Sequence, residues 1–164
     1  MHYLIISFSH KNTDISTREK LAFSSDNEKI SFSKENLNSN ISELILLSTC
    51  NRVEIIATAY DILGATNSII TSLSKKSNID FDELEGRADI YEDTGAIHHL
   101  FSVSSSLDSL VIGETQITGQ LKDAFRLSFD NNFSKQKLPR AMHYSFKCAA
   151  SVRNSTDISK NSVS

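Results

Sequence analysis

Leu46-Leu47-Ser48-Thr49-Cys50-Asn51-Arg52-Val53-Glu54-Ile55 sets two apolar runs on either side of a short polar link that carries a cysteine and an arginine. Glu43 to Leu47 and Val53 to Tyr60 are rich in Leu, Ile and Val, so each reads as a strand and the pair as a hairpin. The link holds no Asn-Gly or Asp-Gly pair, so a longer or irregular connection is expected rather than a two-residue turn. The hairpin puts the Cys50 thiol at a sheet end. Positive charge on Arg52 beside it favours the thiolate and makes Cys50 a candidate nucleophile. The same position also fits a cysteine packed as a small hydrophobe.

Upstream of the hairpin, His2 to Ser9 is β-rich and runs into the polar segment His10 to Asp14, which predicts a first, central strand and then a loop. Ser16 and Glu19 have capping-box spacing and predict a short helix through Phe23. Ser24 to Asn40 is Ser/Asn-rich and reads as loop or weak helix. Downstream, Ile62, Leu63, Ile69, Ile70 and Leu73 follow a helical period that ends in Lys75-Lys76. Ala88 to Tyr91 reads as a strand, followed by a helix with Ile97, Leu100 and Phe101 at i, i+3 and i+4. That helix carries His98 and His99, which cannot both lie on its buried stripe.

Ile117, Leu121, Ala124, Phe125 and Ser128 form a further stripe, with Gln116 and Gln120 on a neighbouring face that suits a polar ligand or water. The last periodic segment, Leu138 to Val152, accepts Pro139 in its first turn and spaces Ala141, Tyr144, Ser145, Cys148 and Val152 helically. Lys135, Lys137, Arg140, His143, Lys147 and Arg153 lie along or beside it, forming a solvated face or, with Phe133 and Tyr144, a face for RNA.

The chain has 164 residues, 39% hydrophobic and 23% charged, enough for one domain with a core. No run approaches the roughly 18 apolar residues of a membrane span, and Met1 to Phe8 lacks the start and cleavage site of a signal peptide. A soluble, cytoplasmic protein with no membrane contact is expected. Cys50 and Cys148 are far apart and form no ligand cluster, which predicts reduced thiols and no metal site. The net charge of −3 gives no general attraction for a polyanion. Ser151 to Ile158 trails off without a cap, which reads as a boundary after a domain at 1–150.

Several stretches together resemble the N-terminal catalytic region of glutamyl-tRNA reductase. They are Leu46-Leu47-Ser48-Thr49-Cys50-Asn51-Arg52-Val53-Glu54, His99-Leu100-Phe101-Ser102-Val103, and Leu107-Asp108-Ser109-Leu110-Val111-Ile112-Gly113-Glu114-Thr115-Gln116-Ile117-Thr118-Gly119-Gln120, with Arg18-Glu19-Lys20-Leu21 near the start. Two departures stand out: Ser106 replaces a usual glycine and Thr115 a frequent proline. The resemblance implies an α+β fold, a ferredoxin-like βαββαβ sheet with additional helices. It also implies that residues 151–164 begin a connection to an NADPH-binding domain absent from this chain, in which no GxGxxG occurs.

The implied chemistry is attack by Cys50 on glutamyl-tRNA to give a glutamyl thioester, then NADPH-dependent reduction to glutamate-1-semialdehyde in tetrapyrrole (haem) biosynthesis. Cys50 and His99 are the implied catalytic residues, His99 relaying a proton or orienting the substrate. Thr49, Asn51, Arg52, Ser109, Glu114, Thr115, Gln116 and Gln120 are the implied substrate-binding residues, Arg52 gripping the side-chain carboxylate and Asp108 bracing its loop. Implied partners are glutamyl-tRNA, glutamate-1-semialdehyde aminomutase and a second subunit through a C-terminal dimerisation domain absent here. The rival readings are a non-catalytic RNA-binding module using an aromatic sheet face, of which the sequence shows no motif, and an unrelated thiol hydrolase.

Overall fold

The computed structural model describes residues 1–108 and 115–155. Strands β1 (His2–Ser9), β2 (Ile41–Ser48), β3 (Arg52–Ala59) and β4 (Asp89–Glu92) form a sheet in the order β2-β3-β1-β4. Every pairing is antiparallel. With α1 (Ile15–Leu21) and α2 (Asp26–Asn36) after β1, and α3 (Ile62–Ser77) and α4 (Phe81–Arg87) after β3, this is the expected βαββαβ order with β1 inside the sheet. The additional helices are α5 (Asp93–Ser104), α6 (Gln116–Asp130) and α7 (Lys137–Ser155).

The apolar runs of β1 to β3 are long because both sheet faces are covered. Successive side chains point to opposite faces. Leu4, Ile6, Phe8, Leu46, Val53 and Ile55 pack in the core shared with Leu21, Phe32, Ile69 and Leu84 of α1 to α4. Ile5, Ile45, Leu47 and Ile56 pack with Ala96, Leu100, Leu121, Leu138 and Met142 of α5 to α7. No open face is left on the central strands for stacking RNA bases. The outer edge of β2 is engaged as well: Leu44 N–H donates to Phe133 O at 2.9 Å, and Ser128 Oγ donates to Leu44 O at 2.7 Å.

Three residues, Thr49, Cys50 and Asn51, link β2 to β3, so the connection is longer than a two-residue turn and irregular, as expected. Thr49 N–H donates to Arg52 O at 2.8 Å, while Thr49 Oγ1 accepts from the N–H groups of both Asn51 and Arg52 at 3.2 Å. The threonine hydroxyl does what a positive-φ turn pair would otherwise do, and neither Cys50 nor Asn51 has positive φ.

Other local expectations shift. The first helix starts at Ile15 with Asp14 at the cap position, so Ser16 lies inside its first turn. The polar stretch after it is a genuine helix, α2, with Ser25 Oγ accepting from Glu28 N–H at 3.2 Å and Glu28 Oε2 accepting from Ser24 N–H at 2.8 Å. Helix α4 has no counterpart among the elements expected from the sequence. On α7 the buried stripe is Leu138, Ala141, Met142, Ser145 and Ala149, and Tyr144 lies outside it at 51% exposure.

A buried carboxylate fastens α7 to the sheet. Glu43, 1% exposed, accepts through Oε1 from Lys135 N–H (2.7 Å) and Leu138 N–H (3.1 Å), and through Oε2 from Thr58 Oγ1 (3.0 Å). Glu43→Ala strands those donors and is expected to lower the free energy of unfolding by about 3 kcal/mol in urea titration, with an unchanged m value. Ser106 takes φ 61° in the turn after α5, which explains the glycine usual there. A side chain in that region costs roughly 1–2 kcal/mol, partly offset by the unfolded-chain entropy of glycine. Ser106→Gly is therefore expected to stabilise by about 0.5–1 kcal/mol in the same titration.

A candidate active site at the β2–β3 turn

The first residues of β3 face the α5 side of the sheet at every second position, so Arg52 and Glu54 share that face with Ile56 and lie across from Ser9 and Ser7 of β1. Glu54 is 1% exposed. Its Oε1 accepts from Ser7 Oγ at 2.8 Å, Arg52 Nη1 at 2.8 Å and His99 Nε2 at 2.9 Å. An ionised carboxylate only accepts, so Nε2 of His99 carries the hydrogen. Helix α5 brings in His99, 6% exposed, with Tyr91 stacked on its ring at 4.0 Å and 10°. The segment after α5 brings Asp108, whose Oδ2 accepts from Arg52 Nη1 at 3.1 Å and whose backbone oxygen accepts from Nη2. Lys11, from the loop after β1, pairs with the other oxygen of Asp108.

Burial works against the charge on Glu54, but the hydrogen bond and charge of His99, the charge of Arg52 and the Ser7 hydroxyl outweigh it and hold its carboxyl below the usual range. Asp108 follows the same pattern: burial raises it, and Lys11 and Arg52 bring it lower still. Tyr91 is raised by burial and by the carboxylates of Asp89, Asp108 and Glu54. His10 is lowered by burial and by the positive charges of Arg52 and Lys11. Its Nδ1 is buried without a hydrogen-bond partner, and its backbone N–H donates to Asn51 O at 3.1 Å.

Of the residues singled out in the sequence, Cys50 is exposed at the tip, between Thr49, which shapes the turn, and Asn51, which ties it to the loop after β1. Cys148 is half-buried on α7. His98 faces solvent and His99 the interior. Arg52, read as the grip for a substrate carboxylate, has Nη1 and Nη2 engaged by Glu54 and Asp108. Thr115 and Gln116 are exposed at the start of α6, and Gln120, one turn on, lines an open groove of about 530 Å³ with Leu47, Ser48, Lys29 and Asp123. That groove ends beside the Cys50 turn. Ser109 and Glu114 lie outside the described residues.

The sequence reading assigns no role to Glu54, Ser7, Tyr91 or Lys11. A usable signal is present at Glu54: an acid inside an apolar strand flanked by an arginine two positions away implies a buried pair when both faces are covered. Ser7, Tyr91 and Lys11 enter only through cross-strand register and loop closure.

Among the described residues, no His, Cys, Asp and Glu side chains are grouped to hold a metal ion, and no helix is long and apolar enough to cross a membrane. Neighbouring strands are antiparallel throughout, so the described residues contain no βαβ unit whose two parallel strands pair directly, the kind that cradles a dinucleotide.

Residues 6–156 match the family model described as glutamyl-tRNAGlu reductase, N-terminal domain. The chain is 58% identical to the glutamyl-tRNA reductase of a Nitratiruptor species, with all of the chain and 38% of that protein covered. It is 61% identical to that of Sulfurimonas denitrificans, again over the whole chain and 38% of the relative. The chain therefore spans well under half the length of these relatives. The solved structure of glutamyl-tRNA reductase from Methanopyrus kandleri shares the fold with a TM-score of 0.76 at 24% identity, over 99% of this chain and 37% of that one.

Glu54→Gln keeps the shape of the network but removes the charge that offsets Arg52, and is expected to cost about 3 kcal/mol at pH 7 in urea unfolding. The folded-state pKa of Glu54 lies below its unfolded value of about 4.3. Its contribution is thus complete above that value and fades as pH falls through the folded one. The stability gap between wild type and Glu54→Gln should close on acidification below about pH 4. A gap that stays constant down to the acid limit would show that the difference does not come from the ionisation of Glu54.

Proposed function

The chain belongs to the glutamyl-tRNA reductase N-terminal domain family, and from that premise we propose that it accepts glutamate from glutamyl-tRNA onto Cys50 as a thioester, for NADPH-dependent reduction to glutamate-1-semialdehyde in tetrapyrrole (haem) biosynthesis. The observation that carries this reading is the placement of Cys50: an exposed thiol at the tip of a hydroxyl-tied turn between two fully packed strands.

In the proposed step the Cys50 thiolate adds to the ester carbonyl carbon. Collapse of the adduct breaks the bond to the ribose oxygen, which takes up a proton and leaves as uncharged tRNA, while the new C–S bond holds the glutamyl group. Thr49 fixes the turn that aims the thiol. Asn51, Thr115, Gln116 and Gln120 offer amide and hydroxyl partners around it, with Ser109 and Glu114 assigned to the same role. We assign His99 to positioning: its Nε2 is committed to Glu54, and through Glu54 it steadies Arg52. A substrate carboxylate reading Arg52 shares the guanidinium with Asp108, and that competition sets how selectively glutamate is held.

Reduction is assigned to the remainder of the longer proteins. Residues 1–150 make the acylating unit, and 151–164 lead towards the cofactor domain. A homodimer through a further domain, contact with glutamate-1-semialdehyde aminomutase and a cytoplasmic setting belong to the same proposal. The covered sheet faces weigh against the rival RNA-binding module that would stack bases on the sheet.

Incubation of this chain with radiolabelled glutamyl-tRNA, followed by rapid acid quench and peptide mass mapping, is expected to find a transient adduct on Cys50 and none in Cys50→Ser. Free glutamate and uncharged tRNA should then accumulate slowly, even with NADPH added, because water is the remaining acceptor. Deacylation at the wild-type rate in Cys50→Ser would remove Cys50 from the chemistry. Glutamate-1-semialdehyde formed by this chain alone would refute the division of labour.

A further inference from the structure

Helix α7 carries four cations along its length, where α3, the other long helix without an acid, has only Lys75 and Lys76 at its end. Lys137, Arg140, Lys147 and Arg153 lie on it without a single Asp or Glu, in a chain that holds 17 Lys and Arg against 20 Asp and Glu. Among the described residues none of these four forms an ion pair; the paired cations are His2, Lys11, Lys29, Arg52, Lys76, Arg87, His99 and Arg126.

Arg140, His143, Tyr144 and Lys147 are three or four residues apart, share one side of the helix and are exposed. The opposite side is the buried stripe through Leu138, Met142 and Ser145. The face is therefore cationic, solvent-facing and aromatic at its centre, with the Arg140 guanidinium 6.0 Å from the Tyr144 ring centroid. Its direction is also informative. The helix starts on Glu43, and Ser145 Oγ donates to Ser104 Oγ at the end of α5, four residues before the Asp108 that holds Arg52. The cationic row thus runs towards the end of the sheet that carries Cys50.

We propose that this face of α7 docks the phosphate backbone of the tRNA while its aminoacyl end reaches Cys50, an inference that rests on the function proposed above. Arg140 and Lys147 lie two helical turns apart, roughly 10.5 Å, and with an exposed ring between them they suit a phosphate chain and its sugars or bases.

The test measures binding of a tRNA-Glu transcript to the full 164-residue chain as a function of salt. The variants are R140Q/K147Q, the charge-retaining R140K/K147R, and K34Q/K75Q as a control on exposed lysines of α2 and α3, across the sheet. Circular dichroism melts check that each is folded. Loss of two phosphate contacts is expected to reduce the slope of log affinity against log salt by roughly 1.5 and to weaken binding about tenfold near 0.1 M salt. R140K/K147R and K34Q/K75Q should keep the wild-type slope. Wild-type affinity and slope in R140Q/K147Q would overturn the proposal, whatever else then covers the face, an acidic protein included. So would an equal loss in the control, or no binding by wild type. A wild type that binds tRNA but forms no Cys50 adduct would instead sink the proposed function and leave this surface standing.

Discussion

A carboxylate with almost no exposed surface holds the tip of this molecule together. Burying the Arg52 guanidinium alone would cost several kcal/mol, and Glu54 and Asp108 offset that cost from two directions. Because Glu54 Oε1 also accepts from Ser7 and His99, one oxygen atom joins β1, β3 and α5, and Arg52 extends the joint to Asp108 and so to Lys11. Cys50 lies two residues from Arg52 and inherits that rigidity, although it is itself exposed.

The two strands flanking Cys50 were legible because their apolar content is high enough to demand burial on both faces, and β1 was legible for the same reason. The helices α3 and α5 declared themselves by period, and the pair His98-His99 was correctly split between two surfaces by geometry alone. The turn at Cys50 was harder: its tightness depends on where a threonine hydroxyl points, which composition does not encode. Helix α2 was hard for a related reason. It has little apolar periodicity and is stabilised at its start by Ser24, Ser25 and Glu28. The network around Glu54 was beyond reach, since residues from positions 7 to 108 meet there only after the sheet has closed.

Two kinds of surface meet at the tip. On one side lies the locked ion network, in which each group has its partner and little can adapt. On the other lies the open groove between α2 and α6, bordered by Gln120 and by Lys29 and Asp123, which are held only by ion pairs 3.9 Å long to Asp26 and Arg126. A thiol set between a rigid support and an adaptable groove can be aimed without being enclosed, which suits a ligand much larger than the reacting group.

The bonds from Ser128 and Phe133 to Leu44 give the outer strand a guard that arrives late in the chain. During synthesis on the ribosome all four strands emerge before that guard, so for an interval the sheet has its complete order and an open margin. An unguarded strand edge is a template for pairing with a neighbouring chain. Chaperone demand and solubility on truncation are therefore set by a segment that contributes no strand: a version ending before α6 would keep every pairing of the sheet and still be prone to associate through β2.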